Sequence, residues 1–259
     1  IYDLVEPFMA TEATSEHRAK NVIAGCVGNV LEWYDFALYG FFAPIIAKLF
    51  FPTDDQISGL LATFGIFAVG FLMRPIGSVL FGILGDKLGR KKALEISVVM
   101  MAFPTTLIGV LPTYETAGIW APIFLTIIRL IQGISVGGEF TGSISYVVEN
   151  APHPPPQRGF YSSWTVFSLL GGILLGSAIA SIITNVFTEA EVQSFGWRIP
   201  FLLGLIIGIV GLFLRSGLDE SPAFKKMKEA GQLAKTPVVD SFKYHWKEIL
   251  TVVGATCVG

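Results

Sequence analysis

Val30-Leu31-Glu32-Trp33-Tyr34-Asp35-Phe36 places two acidic residues near the middle of an apolar run that extends over residues 21–51. A helix needs roughly 20 apolar residues to cross a bilayer, so this run is long enough to span one. A carboxylate near the bilayer centre costs at least about 2.5 kcal/mol on insertion scales. Acids in such a place indicate a water-filled path or a bound partner, and the pair therefore points to transport.

The composition of the chain is that of a membrane protein. Of 259 residues, 52% are hydrophobic and 15% are charged, and the mean hydropathy is +0.63. Soluble domains carry roughly 25% charged residues. A net charge of −2 leaves no basic footprint for nucleic acid. Both cysteines lie in apolar segments, which predicts no disulfide framework, and three isolated histidines predict no metal site.

Six apolar segments predict an all-α membrane protein with six complete spans. They cover residues 21–51, 56–84, 93–112, 119–148, 159–187 and 197–214. A polar tail at 1–20 precedes this six-helix bundle of residues 21–214. A charged loop at 215–247 follows it, and residues 248–259 are predicted to begin a seventh helix. We therefore expect the first half of a longer transporter.

Lys and Arg occur in alternate loops, which predicts the orientation in the membrane. The basic loops are 85–92, 149–158 and 215–247, and the loops without Lys or Arg are 52–55, 113–118 and 188–196. Basic loops stay in the cytoplasm. The tail at 1–20 and the loop at 215–247 are therefore predicted to be cytoplasmic. Residues 224–229 form either a short amphipathic helix on the membrane surface or part of a solvated linker between two bundles.

Two stripes of polar residues provide the candidate site. The first segment carries Gly28, Glu32, Asp35 and Tyr39, and the fourth carries Arg129, Gln132, Val136, Glu139, Ser143 and Tyr146. Within each stripe the spacing is three or four residues, which places the members on one face of a helix. Both stripes put ionisable groups inside the membrane, so we expect them to face a common aqueous cavity. The alternative is that Arg129 only neutralises a nearby acid and fixes helix packing.

A carboxyl group in this setting can carry a proton. Burial favours its protonated form, whereas a neighbouring guanidinium group favours the ionised form. The first candidates for the proton carrier are Glu32 and Asp35, and the second is Glu139. The sequence does not separate proton transfer from binding of a cationic substrate group. Arg74, within the second segment, either lines the cavity or has a structural role.

The loop after the second segment reads Gly82-Ile83-Leu84-Gly85-Asp86-Lys87-Leu88-Gly89-Arg90-Lys91-Lys92. Its glycines allow helices to approach and turn tightly. Asp86 is placed to interact with a helix N-terminus or a basic partner. The frame resembles the signature loop of the major facilitator superfamily, and Arg129-x-x-Gln132-Gly133 resembles the fourth-helix motif of that superfamily.

A narrower resemblance extends over residues 21–224. The motifs that carry it are Gly28-Asn29-x-x-Glu32-Trp33-Tyr34-Asp35-Phe36, Phe71-Leu72-Met73-Arg74-Pro75-Ile76-Gly77, Ser135-Val136-Gly137-Gly138-Glu139 and Gly196-Trp197-Arg198-Ile199-Pro200-Phe201. They are similar to motifs of the metabolite:proton symporter family. Gly138-Glu139-Phe140-Thr141-Gly142 is closest to the proline/betaine transporters, although dicarboxylate members share most of the motifs.

The resemblance implies a twelve-helix fold of two bundles, of which this chain holds the first. Each bundle would be an inverted repeat of three plus three helices. Asp86 and Arg90 would belong to a gate that locks the two bundles together on the cytoplasmic side in the outward-open state. Glu149 and Arg158 would form a second cytoplasmic pair.

The activity implied by the resemblance is proton symport by alternating access, with the proton gradient as energy source and without a cofactor. The expected substrate is a small polar osmolyte of the proline or betaine type, and the alternative is a 2-oxoglutarate- or citrate-like acid. Its partners would be protons, the lipid bilayer and the C-terminal bundle, in a bacterial inner membrane. The rival class is a membrane-embedded sensor or enzyme, which would need a fused soluble domain or a catalytic cluster.

Overall fold

A computed structural model describes residues 15–150, 158–231, 243 and 246–258. Every regular element in this part of the chain is a helix. The helices are α1 (Ser15–Phe50), α2 (Gln56–Leu72), α3 (Arg74–Leu88), α4 (Arg90–Val110), α5 (Tyr114–Ala117), α6 (Trp120–Glu149), α7 (Arg158–Val186), α8 (Glu189–Glu191), α9 (Arg198–Ser216), α10 (Pro222–Glu229) and α11 (Trp246–Val258). A π-helical turn over Val192–Gly196 precedes α9.

Six helical stretches among the described residues are long and apolar enough to cross a membrane. In chain order, spans 1 to 6 are Lys20–Phe50, Gln56–Leu88, Arg90–Val110, Trp120–Glu149, Gly159–Val186 and Arg198–Ser216. They correspond one to one to the six predicted apolar segments. Span 6 continues to Ser216, so Arg215, which the sequence analysis placed in the following loop, belongs to the bundle.

Span 2 is interrupted at Met73, between α2 and α3. Pro75 has no amide hydrogen to donate to the carbonyl group of Phe71, so the helical ladder cannot continue through it. The Met73 amide donates to the carbonyl oxygen of Gly70 instead, at 3.1 Å. The interruption makes Arg74 the first residue of α3, close to the middle of the span.

The spans pack with the symmetry of a three-plus-three repeat. Span 1 packs along span 5 (α1 with α7), span 2 along span 4 (α2 and α3 with α6), and span 3 along span 6 (α4 with α9). When spans 1, 2 and 3 are exchanged with spans 4, 5 and 6 in that order, the pair of spans 1 and 5 becomes the pair of spans 4 and 2. The pair of spans 3 and 6 is converted into itself. The predicted six-helix bundle of two three-helix repeats is confirmed.

Glycines allow the closest of these helix contacts. A Cβ added at Gly133 in span 4 would lie 1.9 Å from the carbonyl oxygen of Gly70 in span 2. A Cβ added at Gly172 in span 5 would lie 2.5 Å from the carbonyl oxygen of Val30 in span 1. Residues without a side chain let two membrane helices approach to backbone contact. The two contacts lie in the two pairings that the repeat symmetry exchanges.

Gly133→Ala is expected to destabilise the full-length protein by roughly 1–3 kcal/mol, the usual cost of overpacking. The added methyl group would meet a backbone carbonyl group, which moves only if the helix moves. Gly142→Ala is the matched control on the same helix, since its Cβ would lie 3.5 Å from Leu94 Cδ2, at ordinary contact distance. Thermal unfolding in detergent compares the variants. Equal melting temperatures would contradict the close contact of spans 2 and 4.

The two ends of the bundle differ in charge. We call the end formed by residues 86–92, 146–149 and 215–221 the basic end. At the opposite end Asp55 caps α2, and its carboxylate accepts hydrogen bonds from the Ile57 amide at 3.1 Å and the Ser58 hydroxyl at 2.6 Å. The Ser58 hydroxyl, followed by the backbone amides, lowers the pKa of Asp55. The cap therefore keeps its charge further into the acidic range than an isolated aspartate.

Candidate functional site

Three buried acids pair with three arginines inside the bundle, and each pair joins two spans. The pairs are Glu32 with Arg74, Asp35 with Arg129, and Glu139 with Arg215. Five of the six side chains are at most 3% exposed, whereas that of Arg74 is 30% exposed. An unpaired buried charge is strongly destabilising. Because each carboxylate is paired with one guanidinium group, the charges of these six side chains cancel.

Asp35 pairs with Arg129 and contacts two further polar side chains. Its Oδ2 is bonded to Arg129 Nη1. Its Oδ1 lies 3.0 Å from Thr105 Oγ1 and accepts a hydrogen bond from Gln132 Nε2 at 3.2 Å. Arg129 Nη1 also donates to Gln132 Oε1 at 2.8 Å. Spans 1, 3 and 4 therefore meet at a single carboxylate with both oxygens engaged.

Glu32 is held more loosely, one helical turn away on the same face. Its Oε1 pairs with Arg74 Nη2 at 3.2 Å, while its Oε2 is buried and has no hydrogen-bond partner. The Arg74 guanidinium group lies 3.9 Å from the ring centroid of Phe71 and 5.2 Å from that of Phe36. Arg74 thus contacts the acid, borders the small cavity described below and stacks on the aromatic rings, which combines the two roles left open by the sequence.

Aromatic rings connect the two arginines of spans 2 and 4. The guanidinium group of Arg129 lies 4.0 Å from the ring centroid of Tyr39, and Tyr39 stacks on Phe67 at 5.3 Å between centroids. The Tyr39 hydroxyl donates to the carbonyl oxygen of Thr63 at 3.0 Å. Ring faces attract cations, so these contacts compensate part of the desolvation of Arg129.

Glu139 and Arg215 form the third pair, nearer the basic end. Both carboxylate oxygens of Glu139 contact the guanidinium group of Arg215, and Oε2 also accepts from the Ser97 hydroxyl. Arg215 further donates from Nε to the carbonyl oxygen of Ala24 at 3.1 Å. Glu139 is thus fully engaged. Arg215 was not among the predicted site residues, because a single arginine at the end of an apolar segment looks like part of a basic loop.

Two further polar residues were missed in span 3. Ser97 and Thr105 each touch a buried carboxylate. Their spacing of eight residues places them on one face of the helix, which is a signal that the sequence does contain. Hydroxyl groups at that spacing in an apolar helix indicate a polar contact on its buried face.

The two polar stripes face each other, but they form a packed interface and do not line a wide cavity. Asn29 Nδ2 donates to Ser143 Oγ at 3.0 Å, and a Cβ added at Gly28 would lie 2.0 Å from Glu139 Oε1. The cavity beside Arg129 measures about 10 Å³, the room of about one water molecule. Between these helices the stripes are packed, and the common aqueous cavity stays a prediction. Small residues such as Gly28 let the helices close on each other.

A larger cavity of about 460 Å³ lies at the opposite end of the bundle, beside Lys48, Asp54 and Asp55. None of the six paired side chains lines it. The buried ion pairs therefore lie away from this cavity, despite its volume.

At the basic end Asp86 and Arg90 of the signature loop form an ion pair. Arg90 Nη1 lies 3.2 Å from Asp86 Oδ1, and Arg90 Nε lies 3.4 Å from Glu149 Oε1. Glu149 thus shares Arg90 with Asp86. The side chain of Arg158 lies outside the described residues, so its pairing with Glu149 stays a prediction.

The N-terminus of α4 is capped by Glu220, a residue that sequence reasoning missed. Glu220 Oε1 accepts hydrogen bonds from the amides of Arg90 at 2.9 Å and Lys91 at 3.3 Å. Gly89 has φ +102°, and a Cβ there would lie 2.0 Å from Glu220 Oε2. The sequence analysis suggested Asp86 as an acid that could interact with a helix N-terminus. The acid that occupies it comes from the segment after span 6, which no local pattern predicts.

Two other members of the signature frame have different surroundings. Lys91 Nζ donates to the carbonyl oxygen of Ser216 at 2.7 Å, which joins the start of α4 to the end of α9. Gly82 is exposed, and a Cβ added there would meet no described atom within 4 Å. The expectation that Gly82 permits a close helix approach is therefore corrected within this part of the chain, because its face of α3 points away from the bundle.

Glu220→Ala is expected to destabilise the protein by about 1 kcal/mol, the typical cost of losing a helix cap. Two amides at the start of α4 lose their acceptor. Glu95→Ala is the control, since Glu95 makes only ion pairs with Lys91 and Lys92 at 3.9 and 3.5 Å, and such pairs contribute roughly 0–1 kcal/mol. Thermal unfolding of both variants measures the difference. A larger loss for Glu95→Ala would contradict the capping role.

The fold and this arrangement of charges define a membrane transporter. The chain belongs to the sugar (and other) transporter family of the major facilitator superfamily, and the family matches residues 21–241. Members of this superfamily are transporters, so the chain is part of a multi-pass membrane transporter and not an enzyme.

Curated relatives are named for osmolyte transport. The proline/betaine transporter of Escherichia coli (strain K12) is 43% identical over 244 residues, which are 93% of this chain and 48% of that protein. The glycine betaine/proline/ectoine/pipecolic acid transporter of Dickeya dadantii (strain 3937) is 41% identical over 245 residues, with shares of 91% and 48%. The chain spans about half the length of the curated relatives it matches.

Solved structures with a similar fold include the proton:xylose symporter bound to 6-bromo-6-deoxy-D-glucose. Its TM-score is 0.74 at 21% identity, and the match covers 85% of this chain and 48% of that chain. The inward-open xylose transporter from E. coli gives 0.68 at 22% identity, with shares of 87% and 56%. At these identities the comparison shows the fold, which is the N-terminal six-helix bundle of a major facilitator superfamily transporter.

Proposed function

We propose that this chain is the first bundle of a proton-coupled symporter that carries a small zwitterionic osmolyte of the proline or betaine type. The observation that carries the proposal is the cluster of two ion pairs, Glu32 with Arg74 and Asp35 with Arg129, at the middle of spans 1, 2 and 4. Ionisable residues at this depth mark substrate and proton pathways in membrane proteins. The names of the relatives support the substrate class.

The charge balance of the cluster favours a substrate without net charge. Two acids and two arginines cancel, so a zwitterion leaves the site neutral, whereas a dicarboxylate would bring two negative charges into a low-dielectric region. A di- or tricarboxylate of the 2-oxoglutarate or citrate type would need the two arginines released from their acids. The osmolyte is therefore the preferred substrate.

Glu32 is the proposed proton acceptor. Its Oε2 is buried without a hydrogen-bond partner, so a proton added there breaks no existing hydrogen bond. Asp35 has three polar partners, and protonation would disrupt at least one of them. Glu139 is paired through both oxygens with Arg215, which makes it the least suitable of the three predicted carriers.

Proton and substrate binding would then be coupled by charge. Protonation of Glu32 leaves Arg74 without an ionised partner, and the site gains one positive charge. A substrate carboxylate compensates that charge, so proton and substrate favour each other's binding. Movement of both across the membrane uses the proton gradient and needs no cofactor.

The rest of the transport cycle rests on the second bundle. We place the N-terminus and the basic end in the cytoplasm, because Lys and Arg cluster there. The contacts among Asp86, Arg90 and Glu149 would serve as the cytoplasmic gate between the two bundles. Opening and closing on alternate sides exposes the cluster to one side of the inner membrane at a time.

Reconstitution of the full-length protein tests the proposal. Proteoliposomes with an inward proton gradient are supplied with proline, betaine, 2-oxoglutarate, citrate or shikimate in turn. We expect accumulation of proline or betaine above its external concentration, and its loss when the gradient is collapsed. Accumulation that ignores the gradient would contradict proton coupling, and accumulation of a dicarboxylate alone would contradict the osmolyte assignment.

A further inference from the structure

The guanidinium group of Arg129 has two edges, and only one of them is used. Nη1 contacts Asp35 and Gln132. Nε and Nη2 are buried and have no hydrogen-bond partner, although the side chain is only 3% exposed. A buried donor without an acceptor costs about 1–3 kcal/mol, and more when it is charged. Such a pair of free donors indicates a position for a ligand.

The free edge matches one chemical group well. Nε–H and Nη2–H of an arginine point in parallel and donate hydrogen bonds to the two oxygens of a carboxylate in a bidentate arrangement. Arg129 lines the cavity of about 10 Å³ together with Phe67, Phe71 and Arg74. That volume admits about one water-sized atom, so a carboxylate enters when the two phenylalanine side chains turn aside.

The same cavity borders a surface that recognises cations. The rings of Phe36 and Phe71 already flank the guanidinium group of Arg74, and ring faces also bind ammonium groups. Ring faces for a cationic group and a donor edge for a carboxylate therefore border the same cavity.

We propose that the Nε and Nη2 edge of Arg129 is the carboxylate subsite of the transporter, and that the rings of Phe36 and Phe71 receive the cationic end of the same zwitterionic substrate. This inference rests on the proposed transport function and adds the atoms that read the substrate. Asp35 holds Arg129 by the opposite edge and is a positioning residue for this subsite.

Matched ligands test the subsite on the full-length protein without any mutation. Glycine betaine and its carboxamide differ only in the group that Arg129 would bind. Because hydrogen bonds to charged groups contribute about 1.5–3 kcal/mol, we expect roughly ten- to hundredfold weaker binding of the amide, measured by calorimetry in detergent. Equal binding of the two ligands, or binding of neither, would overturn the subsite.

Arg129→Lys tests the edge itself. Lysine keeps a positive charge near Asp35 but has no parallel donor pair, so the preference for betaine over its amide should fall below about tenfold, the low end expected for a charged hydrogen bond. Arg198→Lys is the control, since Arg198 bonds the carbonyl oxygens of Gly109 and Leu111 at 2.9 and 2.7 Å, and it should keep the wild-type preference. Full discrimination by Arg129→Lys would overturn the subsite.

Different experimental results would contradict the carboxylate subsite and the transport function. Proton-driven uptake of betaine with equal binding of its amide would leave the transport function intact and remove the subsite. Carboxylate-dependent binding without proton-driven uptake would leave the subsite intact and remove the coupling. If Arg129→Lys does not fold, the ligand pair on the unmodified protein decides.

Discussion

Glu32→Gln in the full-length protein is expected to abolish proton-driven accumulation while substrate still equilibrates across the membrane. With one proton per substrate, a gradient of about two pH units can drive roughly hundredfold accumulation, because each unit corresponds to about 1.4 kcal/mol. The amide has nearly the shape of the carboxyl group, and its oxygen can still accept from Arg74. It cannot bind and release a proton. The ratio of internal to external substrate should therefore fall to about one.

Asp35→Asn is the matched comparison on the same helix face. Asp35 positions Arg129, Gln132 and Thr105 through both of its oxygens. Its neutralisation should weaken substrate binding and lower the melting temperature, whereas Glu32→Gln should change neither by much. Uptake in proteoliposomes with and without a pH gradient separates the two. If Glu32→Gln accumulates substrate normally and Asp35→Asn only equilibrates it, the proton acceptor is Asp35.

Arg215→Met is expected to produce the largest loss of stability. Removal of one member of a buried ion pair costs roughly 3–5 kcal/mol, because the other charge is left uncompensated. Arg215 is fully buried, and its replacement would leave Glu139 without its cationic partner between Ser97 and the backbone of α1. Thermal unfolding in detergent and the yield of folded protein measure the effect.

Two further variants test whether the loss of stability comes from the buried charge pair. Replacing Glu139 and Arg215 together by methionine should recover much of the loss, since an apolar pair of similar volume needs no compensation. Arg198→Met should cost less, because Arg198 bonds only backbone carbonyl oxygens and leaves no buried acid behind. A double variant as unstable as Arg215→Met alone would show that packing, and not the charge pair, determines the stability.

The sequence was sufficient for the architecture and for most of the polar stripes. Apolar runs of the length of a bilayer define spans, and a spacing of three or four residues defines a helix face, so the facing of Glu32, Asp35, Arg129 and Glu139 could be predicted. Asp86 and Arg90 are four residues apart on adjoining helices; the resemblance singled out both residues, and the structure adds their contact at 3.2 Å.

The choice of partners could not be predicted from the sequence. A helix face does not specify depth in the membrane or rotation about the axis, so three acids and several arginines could combine in many ways. Arg215 reaches Glu139 across 76 residues of chain, and Glu220 reaches the start of α4 across 130. The first contact depends on where span 6 ends relative to span 4, and the second on where it ends relative to span 3. The width of the space between the stripes likewise depends on the close approach of the Glu139 and Arg215 side chains to Gly28, which a spacing rule does not measure.

Substrate-driven proton movement tests the central claim most directly. The full-length protein is reconstituted in lightly buffered proteoliposomes at equal pH on both sides, and betaine or proline is added outside while external pH is recorded. Symport predicts that the medium becomes more alkaline as substrate enters, that a protonophore abolishes the signal, and that Glu32→Gln lacks it. Substrate entry without any change in external pH would contradict proton coupling through this bundle.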